Sequence, residues 1–553
     1  MFVKNLITFA ELFEQIRMSL PFNQFLMVDP SKCSIFKDFD LKYWSHPDFF
    51  KDFISNSFDL EGITNQLQLK KSTYNKRVEF ANIVKNQYSK IEVNSEFTIQ
   101  IESLFSENTF AVVCAHQPIL LGGPVYWWYK IIHAISLSNY LNELHKDFHF
   151  VPIYFIGSED HDFEELNHIN LFNQRIEWNG KSDIAIGKKT TSGLHEVLKN
   201  IRSLFSNQLD VLEIIDQWDQ LVNESDQYGE FYFNFVHSIF KSYGLLCFNP
   251  DDQTAKNHLK SIFKDEILHQ SGLKSVTKTN QELQNISIKA QAHAREINLF
   301  YHGNESRTRI IKEGNNYTLA DQSKSWTEQN LLEEIENSPQ NFSPNVILRP
   351  IYQELLLPTV VFIGGGAEMN YWLQLGDLFK HHQISFPILA RRFSAILFSK
   401  TVLSKIKKLK LSPLDFLENI ENIKNNFVSQ NSNVIQEIDL IKSHYANFLK
   451  ELEEITTKVS KSELAGTKAE INKLNLGMEK LIQKMSKDYK NTFDTELQNI
   501  QKIKNQLFPN NQLQEREESG LSYYLKYQNT FIDSLLALNY SQLTAFYLIY
   551  ETN

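Results

Sequence analysis

A chain of 553 residues in which 42% of side chains are hydrophobic is long enough for about three or four domain-sized pieces with filled cores. Its 56 Lys and Arg against 66 Asp and Glu leave a net charge of -10, which argues against nucleic acid held by bulk electrostatics. Cys33, Cys114 and Cys247 lie far apart with no Cys-x-x-Cys, so neither a zinc ribbon nor a dithiol centre is supported.

The opening MFVKNLITFAELFEQIRM is interrupted by Glu11 and Glu14, unlike the unbroken apolar core of a signal peptide. No run of about 18 apolar residues follows, so no membrane span is expected and the cytoplasm is the default location. Residues 1–108 carry helical periodicity with polar breaks and predict a helical layer against a sheet. Short β-branched or aromatic runs at 110–114, 150–156, 244–248, 359–363 and 386–389 alternate with helical stretches. That alternation predicts an α/β fold, a Rossmann-like doubly wound parallel sheet with helices on both faces. Residues 170–240 and 260–345 are too long for simple crossovers and read as insertions walling the strand ends. Within the second, REINLFYHGNESRTRIIKEGNNYTL predicts a hairpin or meander with turns at Gly303-Asn304 and Gly314-Asn315.

From about residue 401 the texture changes. Ile438, Ile441, Tyr445, Phe448, Leu452, Ile455 and Val459 recur at alternating three- and four-residue steps, an a/d heptad seam. After a break at 460–466 the pattern returns at Ile471, Leu474, Met478, Leu481 and Met485, which predicts an antiparallel helical hairpin. One hairpin is too narrow to cover this seam, so the body of the protein or a second chain should do so, and we expect a homodimer. The division expected is 1–400 for the core, 401–510 for the hairpin, and 511–553 for a tail too apolar to leave the core.

Residues 110–169 hold the densest chemistry. A strand, a loop with Gly122 and Gly123, a helix opened by Pro124 and a second strand make a β-loop-α-β unit. Free N–H groups at such a helix start favour an anion, and glycines let the backbone approach it; the plain alternative is a turn. The second strand ends at Gly157, and Glu159, Asp160, His161, Asp162, Glu164 and Glu165 follow, where an open sheet binds its ligand. A solvated helix start would look the same. Asp160 and Asp162, flanked by Glu159, can hold the ammonium of an amino acid, while His161 can exchange protons near neutrality. A helix starting near Asp160 would put His161, Glu164 or Glu165, and His168 on one face, but this is no standard zinc signature and we assign no metal.

SPNVILRPIYQELLLPTVVFIGGGAEMNYWLQL supplies a second wall. Arg349, with Tyr352 and Gln353 close by, suits a carboxylate. Gly364, Gly365 and Gly366 precede a helix carrying Glu368, Tyr371 and Trp372; they admit a ribose or adenine, with Glu368 as acceptor for ribose hydroxyls, or else serve a tight turn. Arg391 and Arg392, after the last predicted strand, can neutralise phosphate or carboxylate, or form a surface basic pair. Tyr126, Trp127, Trp128 and Tyr129 read as packing residues. Lys484-Met485-Ser486-Lys487 spells most of the KMSKS signature of class I aminoacyl-tRNA synthetases, but Met485 sits on the heptad seam, so we read it as coiled coil.

AHQPILLGGPVYWWYK, GSEDHDFEELNHI, REINLFYHGNESRTRI, SPNVILRPIYQELLLP, FIGGGAEMNYWLQLGDLF and LQEREESGLSYYLKY, in that order across residues 115–527, together resemble BshC, the cysteine ligase family of bacillithiol biosynthesis. The sequence departs from the family's commoner form at Ala115 and His116, where Gly-Gln usually precedes the residue matched by Gln117. A β-carbon at Ala115 restricts the turn, and His116 adds a titratable group. The resemblance implies a fold like that of class I synthetase-type nucleotide-binding enzymes and a reaction joining cysteine to the amine of glucosaminyl malate. By analogy with adenylating ligases, ATP, with Mg as a candidate counter-ion, would activate the cysteine carboxylate. His116, Gln117, Gly122 and Gly123 would then cradle phosphate, Arg349, Arg391 and Arg392 would meet anions, and His161 or Asp160 would take the amine's proton. Two other classes stay open: a metal-dependent hydrolase using the cluster from Asp160 to His168, and a non-enzymatic scaffold that senses nucleotide.

Overall fold

The computed structural model describes residues 19–172, 174–180, 183–303, 306–431, 434–459, 464–538 and 546–552. The opening segment read above lies outside them, as does Asn304 of the expected turn. Two compact units form: one from the described residues up to Pro30, Phe36–Ile396 and those from Glu515 onward, the other from Ser31–Ile35 and Leu397–Gln514.

The first unit is built on five parallel strands, β1 (Thr109–His116), β2 (His149–Ile156), β3 (Leu246–Phe248), β4 (Thr359–Gly364) and β5 (Ile388–Arg391). They read as near-continuous apolar runs because both faces are covered, as parallel sheets require. The last strand begins two residues later than expected, since Pro387 has no N–H for the ladder. β3 likewise starts after Gly244, which turns the chain at φ +72. In space the order is β5-β4-β1-β2-β3. The chain steps outward from β1 to β2 and β3, then returns to the other side of β1 as β4, so the winding reverses between β1 and β4. A crevice at the carboxyl ends of these two strands is where such a sheet takes its ligand.

Helix α1 (Val125–Leu144) packs on β1 and β2, with Trp127, Trp128 and Tyr129 fully buried as expected. Two further helices flank β4: α2 (Arg349–Leu356) before it and α3 (Gly366–Leu373) after it. The helical layer expected over 1–108 appears as Asp38–Ser45, Leu60–Thr73, Arg77–Gln87 and Ser95–Ser103. The strand Phe22–Val28 was not anticipated there; its antiparallel partner is Phe546–Glu551, more than 500 residues away and invisible to local pattern. The second insertion is an antiparallel meander running through Leu299–His302, Arg307–Glu313, Asn316–Leu319 and Ser325–Thr327, with Gly314 turning at φ +61. Among the described residues no helix is long and apolar enough to cross a membrane.

The second unit holds the hairpin of α4 (Val434–Val459) and α5 (Leu464–Lys490). α5 takes in Gly466, so the helix resumes earlier than predicted. The heptad seam divides. Ile438, Tyr445 and Leu452 turn inward, as do Ile471 and Met478, while Ile441, Phe448 and Ile455, together with Leu474, Leu481 and Met485, stay exposed. A helix presents only one stripe to a single neighbour, so residues three positions further round it are left uncovered. Lys484 to Lys487 lie inside α5, in regular helix with no phosphate-binding loop.

Candidate active site

A cavity of about 520 Å3 opens at the carboxyl ends of β1, β2 and β4, within the range of small-molecule sites. Its first wall is the tip of β1 and β2. Gln117 Nε2 donates to Asp160 Oδ2 (2.8 Å), and Asp160 Oδ1 accepts the backbone N–H of His161 (2.7 Å) and of Asp162 (3.3 Å). Burial pushes the Asp160 carboxyl up, but these donors, with Arg307, outweigh it and hold the group below the usual carboxylate range. Asp160 therefore faces the cavity as a fixed anion. His116 lines the same cavity half-buried and neutral, pushed down to about 4 by desolvation and then by Lys130. Its Nδ1 donates to the carbonyl of Gln117 (3.1 Å), leaving Nε2 to accept from the Tyr126 hydroxyl (3.2 Å). Tyr126 thus lines the cavity, where packing alone had been expected.

Arg307 reaches this tip from the meander. Its Nη1 donates to His161 Nδ1 (3.0 Å), Nε to Ser343 Oγ (2.9 Å) and Nη2 to the carbonyl of Pro344 (2.9 Å), and the guanidinium lies 3.9 Å from the centre of the Phe300 ring. Guanidinium can only donate, so Nδ1 of His161 must accept and the ring proton sits on Nε2. Burial first and Arg307 second lower the His161 pKa, against Asp160, Asp162 and Asp183, so the neutral ring is favoured at neutral pH. This corrects the expectation of a general base. In this tautomer His161 offers the cavity a donor, not a lone pair.

The second wall is the start of α3 and of α2. Lys130, fully buried on α1, bridges the switch point by donating to the carbonyl of Ala115 (2.8 Å) and to Glu368 Oε2 (2.6 Å). The same oxygen accepts the N–H of Gly365 (2.8 Å). Burial raises the Glu368 carboxyl, but Lys130, His116 and Gly365 outweigh it, so the group stays ionised. Arg349 donates to two neutral oxygens, Oε1 of Gln353 (3.1 Å) and the hydroxyl of Tyr371 (3.0 Å), and keeps its charge for an anion. Gly365, Gly366, Glu368, Arg349, Tyr371 and Arg392 all line the cavity.

Other expected site residues have structural work elsewhere. Gly122 and Gly123, at φ +81 and +50, are held against Trp127 and Ile119, and the N–H of Val125 at the start of α1 donates to the carbonyl of Glu518 (2.8 Å). This loop is a packed turn, not a phosphate cradle. Gly123→Val should therefore cost about 2 kcal/mol or more in urea unfolding, and a loss of nucleotide affinity at unchanged stability would contradict this reading. Gly364 is buried against Met369. Arg391 is buried, pairs with Asp40 (2.8 Å) and lies over Trp44; Arg392, though it touches the cavity, is paired with Glu515 (2.6 Å). Neither is a surface basic pair. Tyr352 donates to the carbonyl of Pro250 (2.6 Å), Gln353 supports Arg349 from below, and Trp372 stacks on Phe362 at 4.3 Å. Asp162 is exposed and sits at the N-cap position of a helix of only four residues, Phe163–Leu166, without a side-chain cap bond. His168 already belongs to the strand His168–Leu171, so the imagined metal face does not form.

Glu159 lines the cavity floor but is tied to Lys256, whose Nζ lies 2.7 Å from both Glu159 and Asp251. Lys256, Lys130, Arg307 and Arg516 were not singled out from sequence. Two are lysines inside helices, where a surface role is the ordinary reading. Arg307 stands at the start of a strand just past a turn signal, and Arg516 lies in the LQEREESG motif.

Residues 28–393 match the family model "Bacillithiol biosynthesis BshC, N-terminal Rossmann-like domain", and residues 395–551 match "Bacillithiol biosynthesis BshC, C-terminal coiled-coil domain". The chain belongs to the BshC family. A relative from Christiangramia forsetii, named "Putative cysteine ligase BshC", is 32% identical over 90% of this chain and 93% of its own length. A Flavobacterium johnsoniae protein of the same name is 33% identical over 86% of this chain and 90% of its own, and one from Staphylococcus aureus strain Newman is 24% identical over 81% and 86%. At the position where this BshC chain departs from the commoner form, Ala115 gives its carbonyl to Lys130 and His116 gives Nε2 to Tyr126, so both variant residues are built into the wall.

Proposed function

We propose that this chain is the ligase that joins cysteine to the amine of glucosaminyl malate in bacillithiol biosynthesis. The observation that supports it most is the placing, around one cavity at the switch point, of a fixed carboxylate, Asp160, and a guanidinium, Arg349, that among the described residues is bonded only to neutral oxygens. These match the ammonium of an amino acid and a carboxylate or phosphate. Arg516 adds positive charge at the same cavity. In the reading we favour, a cysteine carboxylate oxygen attacks the α-phosphorus of ATP and pyrophosphate leaves. The sugar amine then attacks the acyl carbon, AMP leaves, and the amine gives up a proton to solvent. Gly365, Gly366 and Glu368 would face the nucleotide, with Mg as its counter-ion.

Purified protein supplied with ATP, cysteine and glucosaminyl malate should form the amide with equal amounts of AMP and pyrophosphate. ADP and phosphate would replace the adenylate by an acyl phosphate, and no amide at all would overturn the assignment.

We also propose that a second copy of the chain covers the exposed stripe of Ile441, Phe448 and Ile455. Light scattering of the Ile441→Glu, Phe448→Glu double variant should then report a monomer, because two carboxylates would enter the covered apolar stripe; a dimer that persists would count against this.

A further inference from the structure

Away from the active cavity, two helices of the first unit bring three potential metal ligands together. Asp265 and His269 lie one turn apart on the helix Lys260–His269, while His381 ends the helix Gly376–His381 and His382 caps it. Ligand atoms of Asp265, His381 and His382 all fall within 4.8 Å of one another, and none of the three lines the active cavity. We propose that Asp265, His381 and His382 form a binding site for a divalent transition ion, with Zn2+ as the ion of choice.

The decisive feature is His382. Its side chain is only 6% exposed, and among the described residues its Nε2 has no hydrogen-bond partner, although it points at Asp265 Oδ2, 3.9 Å away. A buried imidazole nitrogen left bare costs stability unless something binds it. His381 Nε2 approaches the same oxygen to 2.9 Å. Tetrahedral zinc with bonds of about 2.0–2.1 Å sets its ligand atoms about 3.3 Å apart, and the two separations bracket that value. Small side-chain rotations would suffice. The other oxygen of Asp265 is held by His269 Nδ1 at 2.9 Å, the outer support that orients a ligating carboxylate. Two imidazoles and one carboxylate favour zinc over the oxygen-seeking magnesium or calcium. Half-exposed His381 leaves room for water as a fourth ligand. The ion would pin the helix of the second insertion to the helix that follows α3, a staple rather than a catalytic centre.

The full-length chain, stripped with chelator and placed in thiol-free buffer, should take up one equivalent of Zn2+ and melt at a higher temperature with it than without. Co2+ in its place should give the strong visible absorption of a low-symmetry four-coordinate site. His382→Ala and His381→Ala should each weaken Zn2+ uptake about tenfold or more. Because His382 is buried, His381→Ala is the cleaner variant. The proposal fails if the native chain takes up no equivalent of zinc, or if His381→Ala binds zinc and shifts its melting as the native chain does, which would put the ion on other histidines.

Discussion

Asp160→Asn should lower kcat/KM for cysteine by about ten- to a hundredfold, mostly through KM. A hydrogen bond to a charged group contributes about 1.5–3 kcal/mol, and every 1.36 kcal/mol is a factor of ten. The fold should survive, because Oδ1 can still accept the two backbone N–H groups and the Gln117 amide can turn its oxygen toward the new Nδ2. A specific control follows from the chemistry. If Asp160 pairs with the ammonium, the native enzyme should discriminate strongly against a mercapto acid that lacks the amine, and the variant should lose that discrimination. Native preference for cysteine in the variant would move the ammonium site away from Asp160.

The five strands were legible because a parallel sheet buried on both faces writes itself as short apolar runs between helices, whereas their order, and so the switch point, was not. What stayed hidden depends on contacts across long stretches of chain. Arg391 and Arg392 read as an exposed anion site until Asp40 and Glu515, 351 and 123 residues away, are seen to neutralise them. The loop of Gly122 and Gly123 has the composition of a phosphate cradle, yet its glycines answer to the bulk of Trp127 and Ile119. The acidic run after Gly157 looked like a helix start and does precede one, but that helix stops after a single turn and takes no side-chain cap from Asp162. Heptad spacing showed which residues of the hairpin are apolar and could not show that only half of them meet the other arm. Of the expected first wall, Asp160, His161, His116 and Gln117 do converge; the partner that sets their chemistry, Arg307, arrives from an insertion, 146 residues beyond His161 and inside REINLFYHGNESRTRI, where the sequence shows a strand and no charge partner.

That partner gives His161 its sharpest test. With Arg307 donating to Nδ1, His161 can act on the substrate only as an Nε2–H donor, placed to stabilise negative charge as the acyl group reacts. His161→Ala should then reduce turnover by about a hundredfold, the usual cost of one such donor. The side-chain amide of Gln reaches about as far as Nε2, whereas that of Asn reaches only about as far as Nδ1, so His161→Gln should retain clearly more activity than His161→Asn. A general base predicts no such difference, since no amide titrates near neutrality and all three variants would be equally slow. The pH dependence has a definite sign. The His161 pKa is lowered from 6.5, so the neutral ring persists through pH 7, and only below 6.5 does protonation put an N–H against the Arg307 guanidinium; activity should fall on that acid side. Nitrogen-15 spectra of the native protein should show His161 protonated at Nε2, and Arg307→Met should release the ring to both tautomers while leaving Asp160 bonded to Gln117. An Nδ1–H tautomer in the native protein, or a Gln variant as inactive as the Ala variant, would return His161 to the role of a base.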